Sequence, residues 1–261
     1  MADDPNHTIS RIRAYWDEQA SRFSAQVAAT THDPLLKRLE HATLTEWLRP
    51  ELDTLELGCG NGVNLFHLEH ILTGRLHGVD YSENMIEAAR YAASQSNPPS
   101  RITFTVGDVL DDLAPIGTYP QVFTDRCLIN LPSLDLQLQA VSNMSSVLPA
   151  GGHLFLLECT QAPLRTLNEY RQLVGLSPIP NHWHNLYLDE DEFLARTPVE
   201  VEHVRTVKFS SLYYLISRVF NARLTPEGES PDYMSALNEL SCQLPSVGDF
   251  GPHKLFVFRR R

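Results

Sequence analysis

The segment Thr54-Leu55-Glu56-Leu57-Gly58-Cys59-Gly60-Asn61-Gly62 constrains the fold of this chain most. An apolar run that reads as a strand passes directly into three closely spaced glycines, and Leu65 and Leu68 follow at helical spacing. Glycine lacks a Cβ, so such a loop permits a tight strand-to-helix turn and close approach of a ligand to the backbone. The next strand, Arg75 to Asp80, ends on an acid. A carboxylate there accepts hydrogen bonds from both hydroxyls of a ribose, and a charge-assisted bond of that kind contributes roughly 1.5–3 kcal/mol. Together the loop and the acid point to adenosine recognition at the switch point of a parallel sheet. The dinucleotide fingerprint sets its third glycine three residues after the second. Val63 stands there, so the loop reads G-x-G-x-G, away from a pyrophosphate and toward a smaller nucleoside. Asp108 closes the third strand, where a carboxylate can accept from an adenine amino group.

The rest of the chain extends this pattern. Helical spacing runs from Thr8 to Ala28 through Ile9, Ile12, Trp16, Ala20, Phe23 and Val27. A second helix is predicted from Asp33 to Trp47, with Asp33 as N-cap and Pro34 as first helical residue. Strands are predicted at Arg101–Gly107, Tyr119–Asp125 and His153–Glu158, with helices from Ser82 and over Ser133–Leu148. Strands alternating with helices imply an α/β, doubly wound parallel sheet. Beyond Glu158 come a helix from Ala162 to Gly175, a short one over Asp189–Ala195 and a strand over Val199–Phe209. Two helices, Leu212–Arg223 and Asp232–Leu244, precede a last strand, Lys254–Arg259. The stretch between those last two strands is too long for a hairpin, so it reads as a cap over the site. The expected organisation is one domain: a helical lid (1–50), a cofactor-binding core (51–160), a substrate cap with remaining core elements (161–251) and the last strand (252–261).

The formal net charge of −11 argues against a protein that tracks nucleic-acid phosphates. No run approaches the roughly 20 apolar residues of a membrane span, and the polar start MADDPNHTISRIR lacks the apolar centre of a signal peptide. Four scattered cysteines without C-x-x-C spacing suggest free thiols in a reducing compartment, with no metal site. The cytoplasm is the expected location, with no membrane partner, as a monomer or homodimer.

Four motifs in order, Leu55 to Gly62, Gly78-Val79-Asp80-Tyr81-Ser82-Glu83-Asn84-Met85-Ile86, Gly107-Asp108-Val109 and Leu148-Pro149-Ala150-Gly151-Gly152, resemble the class I S-adenosylmethionine-dependent methyltransferases. The opening Tyr15-Trp16-Asp17 with Ala20 is similar to the N-terminal helix of many small-molecule members. The resemblance covers roughly residues 10–160. It implies a Rossmann-like, seven-stranded sheet, mostly parallel with the last strand antiparallel, and S-adenosyl-L-methionine as cofactor. It places Asp80 at the ribose, Asp108 and Val109 at the adenine with Tyr81 and Met85 flanking it, and Gly58 and Gly60 beside the methionine part. Glu56, Tyr15, Trp16 and Arg126 join the expected cofactor set, with the stretch after Asp125 beneath the methyl donor. Each also has a plainer reading: by pattern alone Met85 is more often a core residue, Asp80 could cap the next helix and Asp108 could be a turn aspartate. The acidic motifs of base methyltransferases, N-P-P-Y or D-P-P-Y, do not occur after Asp125.

Methyl transfer from a sulfonium is an in-line displacement in which alignment supplies roughly 7–11 kcal/mol of barrier reduction. A hydroxyl or ammonium acceptor needs a base; a carboxylate does not. Tyr15 and Trp16 are candidates for cation–π contact with the sulfonium. For the base, histidines are the natural candidates: His182 and His184 in Asn181-His182-Trp183-His184, and His32 in the lid. Each has a plainer reading, as loop or helix-start residue. Glu158 either points into the cleft or merely ends its strand. The apolar, aromatic segment Ser210 to Arg218, with Tyr213 and Tyr214, lines an acceptor pocket, forms a subunit contact or packs as helix core, and Arg218 and Arg223 either meet an anionic acceptor or are exposed surface arginines. The expected activity is methyl transfer to oxygen or nitrogen of a small-molecule acceptor. The competing readings are a non-catalytic binding protein on the same fold, an aminopropyl transferase and a nicotinamide dehydrogenase.

Overall fold

The computed structural model describes residues 5–261 other than 25, 27 and 28. Its seven strands form one sheet: β1 (Thr54–Leu57), β2 (Leu76–Asp80), β3 (Thr103–Val106), β4 (Gln121–Asp125), β5 (His153–Cys159), β6 (Val201–Val207) and β7 (His253–Arg260). The order is β3-β2-β1-β4-β5-β7-β6. The first five strands are parallel, and β7 runs antiparallel to both β5 and β6. The expected Rossmann-like sheet with its last strand antiparallel is therefore observed. The direction of the sequence reverses between β1 and β4, the place where such sheets open a crevice.

Period-two alternation builds the core on both faces. Val122, Leu154, Leu156, Phe256 and Phe258 pack on one side with Val141 and Met144 of α5 (Leu134–Ser146). Phe123, Phe155, Leu157, Leu255 and Val257 pack on the other. There they meet Leu44 of α2 (Pro34–Trp47), Leu65 of α3 (Val63–Leu68) and Ile86 of α4 (Glu83–Ser94). Asp33 caps α2 as expected, accepting from the Leu36 N–H at 3.0 Å, and Ser82 caps α4.

Three expected helices differ. The first, α1 (Pro5–Phe23), ends five residues early. Ser24 turns to φ +49, and Asn61 of the glycine loop donates to the carbonyls of Ser24 and Gln26. The backbone there is bound to the loop and cannot continue a helix; Val27 and Ala28 lie outside the described residues. The helix expected over 212–223 is α8 (Ser211–Leu215), a π-helical turn (Ile216–Asn221) and α9 (Ala222–Leu224). The one expected over 232–244 shrinks to α10 (Ala236–Ser241). Asp232 instead makes a local turn: its carboxylate accepts from Met234 N–H, and its carbonyl accepts from Asn221 and Asn238. Strand β3 is shorter than expected: the Arg101 N–H donates to the Glu69 carboxylate and the Ile102 N–H to Ser100 Oγ, so neither joins a ladder. The segment between β5 and β6 carries α6 (Gln161–Leu173) and α7 (Glu190–Ala195). Among the described residues no helix is long and apolar enough to cross a membrane.

Candidate active site

A cleft of about 480 Å³ lies along the carboxyl ends of the parallel strands, within the range of small-molecule sites. Gly58 (φ +72) and Gly60 (φ +53) form its floor at one end. A Cβ on Gly58 would stand 2.7 Å from Cys127 Sγ, and one on Gly60 3.3 Å from Thr30 Cγ2. Gly62 serves packing instead: its Cβ would sit 2.7 Å from the Phe104 ring, and it does not line the cleft. Cys59 is buried and its thiol pushed well up by that burial, so it packs as a small residue.

Asp80 is buried at the edge of the cleft. Its Oδ2 accepts from Gly60 N–H at 2.8 Å and its Oδ1 from Ser82 N–H at 2.9 Å. Burial raises it to about 6, opposed by those two bonds. A carboxylate has about four acceptor positions, so two remain for a pair of hydroxyls. Asp108 Oδ1 accepts from Leu110 N–H, and its Oδ2 pairs with Arg13 at 3.1 Å. The same guanidinium lies 4.8 Å over the Tyr81 ring. Val109 and Met85 are buried and reach the cleft wall. Glu56 is placed elsewhere: fully buried, it does not line the cleft, and its Oε1 accepts from Asn64 at 2.7 Å. Burial holds its carboxyl well above the usual range.

Helix α1 lies over this end. Asp17 accepts from Ser82 Oγ at 2.5 Å, and Trp16 Nε1 donates to Asn130 Oδ1 at 3.2 Å. Tyr15 stacks on His184 with ring centroids 4.4 Å apart, and Trp16 meets the same imidazole edge-on at 5.5 Å. Helix α1 and the segment that carries His184 thus meet at one imidazole. Burial pushes His184 down to about 4, with His182 adding to the effect. His182 is exposed and stacks against it at 5.5 Å; His32 is exposed at the lid. All three line the cleft. Among the described residues no group of three His, Cys, Asp or Glu side chains is arranged for a metal ion.

The far end is built on ion pairs. Arg126, at φ +59, follows β4; its Nε lies 3.3 Å from Asp125, and its Nη1 donates to the Thr30 carbonyl at 3.1 Å. Lys37 contacts Asp125 at 2.5 Å and Glu40 at 2.6 Å. Arg218, from the π-helical turn, pairs with Asp33 at 2.5 Å and covers the Tyr233 ring at 4.2 Å. Tyr214 lines the cleft, whereas Tyr213 is core and donates to Asp33. Glu158 does not enter the cleft. It accepts from Thr124 Oγ1 and from the N–H groups of Cys127, Leu128 and Ile129, and so shapes the loop beneath the cleft.

Sequence reading missed Arg13, Glu40 and His253, whereas Asn130 lies in the stretch after Asp125 that it expected beneath the methyl donor. Glu40 and Arg13 carry no motif. His253 lines the cleft because β7 is antiparallel, which brings its start, not its end, to the ligand edge of the sheet.

Residues 54–152 match a family model described as "Methyltransferase domain". The chain is 32% identical over 119 residues to a probable methyltransferase, ltbC, of Aspergillus luteorubrus. That stretch is 43% of this chain and 42% of the relative, so the chain spans less than half the length of that curated relative. Among solved structures it is similar to the N-methyltransferase NodS of Bradyrhizobium japonicum WM9 with S-adenosyl-L-homocysteine (TM-score 0.56, 17% identity, 94% of this chain and 98% of that one). It is also similar to magnesium protoporphyrin IX methyltransferase of Synechocystis PCC 6803 with bound S-adenosylhomocysteine (TM-score 0.60, 16% identity, 97% and 99%). At those identities the structures show a common fold. The stretch from Thr54 to Gly152 is thus the part of the chain that matches a methyltransferase domain, and the solved structures share its fold.

Proposed function

We propose that this chain transfers the methyl group of S-adenosyl-L-methionine to an oxygen or nitrogen of a small-molecule acceptor. The observation that carries this reading is the asymmetry of one continuous cleft. One end offers Gly58, Gly60 and a buried Asp80 with two open acceptor positions; the other offers Arg126, Arg218, Tyr214 and His253. The residues present fit the cosubstrate: Asp80 for the ribose, Asp108, Val109, Tyr81 and Met85 for the adenine, Gly58 and Gly60 for the methionine part. When bound, it supplies a methyl group already activated on a sulfonium.

The chain's own part is to bind, align and exclude water. Tyr15 and Trp16 bring aromatic faces to the sulfonium end, where cation–π attraction is worth about 0.5–2 kcal/mol. His184, neutral near pH 7, completes the wall that these two rings begin. Residues 1–50 serve as lid, 51–160 as cofactor core and 161–251 as cap. The net charge of −11 favours a free small molecule over nucleic acid.

The test is incubation with S-adenosylmethionine and a panel of phenols, alcohols and amines, scored by mass spectrometry. Acceptor-dependent S-adenosylhomocysteine with an equal amount of methylated product is expected. Tight cofactor binding without turnover on any acceptor would favour a non-catalytic binding protein.

A further inference from the structure

We propose that His253, held by Glu40, is the general base of this site and takes the proton of an uncharged hydroxyl acceptor seated against α8. This rests on the methyl-transfer reading above.

His253 opens β7, opposite Cys159 at the end of β5 and on the same sheet edge as Asp125. It is 4% exposed and lines the cleft. Its Nδ1 lies 2.9 Å from Glu40 Oε1. Burial alone would raise the Glu40 carboxyl, but Lys37, Arg126 and His253 hold it well below the usual range. An ionised carboxylate only accepts, so the neutral ring carries its proton on Nδ1 and its lone pair on Nε2. No hydrogen bond among the described residues engages Nε2. The ring is fixed from both sides: Tyr214 packs against it at 5.6 Å, and Ser210 Oγ donates to the His253 carbonyl at 2.6 Å.

A base oriented by a third group is the recurring arrangement for activating a weak nucleophile. Among the described residues four histidines line the cleft, and His253 alone of them is bonded to a carboxylate. His184, at about 4, is a poor proton acceptor at neutral pH.

The surrounding charges select the acceptor. Lys37 and Arg126 face Glu40 and Asp125, and Arg218 faces Asp33. Three cations meet three anions, so this end holds no spare charge for a carboxylate or an ammonium. Burying an unpaired ion costs several kcal/mol; a neutral hydroxyl avoids that cost. In the step, the hydroxyl proton passes to His253 Nε2 as the oxygen lone pair bonds the methyl carbon. The carbon–sulfur bond breaks with its electron pair left on sulfur. The resulting imidazolium faces the Glu40 carboxylate and returns its proton to water after product leaves.

The experiment uses the full chain with neutral phenols, aliphatic amines and carboxylic acids as probes. Phenols are expected to be methylated. H253Q should lose roughly 10²–10⁴-fold in kcat while its calorimetric affinity for S-adenosylhomocysteine stays unchanged. Imidazole added to H253A should restore part of the rate. Glu40 is a positioning residue, so E40Q should lower kcat with little change in KM for the phenol. Full turnover by H253Q, or preference for amines or acids, overturns the proposal. Independently of turnover, ¹⁵N NMR of His253 reads the tautomer: a proton on Nδ1 supports the dyad, and one on Nε2 overturns it. Failure of the wild-type protein to bind S-adenosylhomocysteine is a separate result that overturns the methyl-transfer reading itself.

Discussion

The Gly60 backbone N–H donates a 2.8 Å hydrogen bond to Asp80 Oδ2, so the glycine loop and the acid of β2 are one unit before any ligand arrives. Burial raises Asp80 from 3.8 to about 6, while hydroxyl donors need the ionised form. Affinity for S-adenosylhomocysteine is therefore expected to be flat above about pH 7 and to fall about tenfold per pH unit below about 6. Binding should release close to one proton at about pH 5 and none at about pH 8. Calorimetry in buffers of different ionisation heat measures both, and a flat profile through pH 6 would remove Asp80 from the site.

The lid should depend on its aromatic contacts more than on its ion pair. Arg13–Asp108 has the arginine 47% exposed, and exposed pairs contribute about 0–1 kcal/mol. R13A is expected to weaken S-adenosylhomocysteine binding by less than about fivefold. W16A removes a half-buried ring from Asn130 and His184 and should cost roughly 2 kcal/mol, about thirtyfold in affinity. Equal losses in the two variants would contradict this ranking.

Glycines of one loop should separate by function. Alanine at Gly62 (φ +83) meets the Phe104 ring at 2.7 Å, outside the cleft, and should lower stability by roughly 1–3 kcal/mol. Alanine at Gly60 meets, among the described residues, a methyl group at 3.3 Å and should show its larger effect in cofactor affinity. Thermal melts with and without S-adenosylhomocysteine distinguish the two.

Glu158 should act on stability. E158A leaves four donors without their acceptor and is expected to cost roughly 2–4 kcal/mol. Burial raises this carboxyl from 4.5 to about 7, so the folded state holds the proton more tightly than the unfolded chain. Its contribution is complete below about pH 4.5 and is lost as pH rises through about 7. Denaturant melts across that window should show wild-type stability falling with pH, and a shallower fall in E158Q.

The glycine-loop end of the cleft was legible in the sequence because its determinants are local. Gly58, Gly60, Asp80 and Asp108 each stand at a strand terminus that periodicity locates, and the parallel topology brings those termini together. Glu56 shares the motif yet turns into the core toward Asn64, since strand alternation decides its side. The far end of the cleft is built from long-range contacts. Glu40 and His253 meet across 213 residues, and Asp33 meets Arg218 across 185. Asp33 was readable as a helix cap, but its second role depends on a π-helical turn that no spacing rule announces.

Calorimetric titration of S-adenosylhomocysteine into the wild-type protein and D80A tests the central claim most directly. The account predicts one site per chain and a roughly 10–150-fold loss in D80A, the 1.5–3 kcal/mol of a charge-assisted bond. No binding to the wild-type protein at about 1 mM ligand, or equal affinity in D80A, would contradict it.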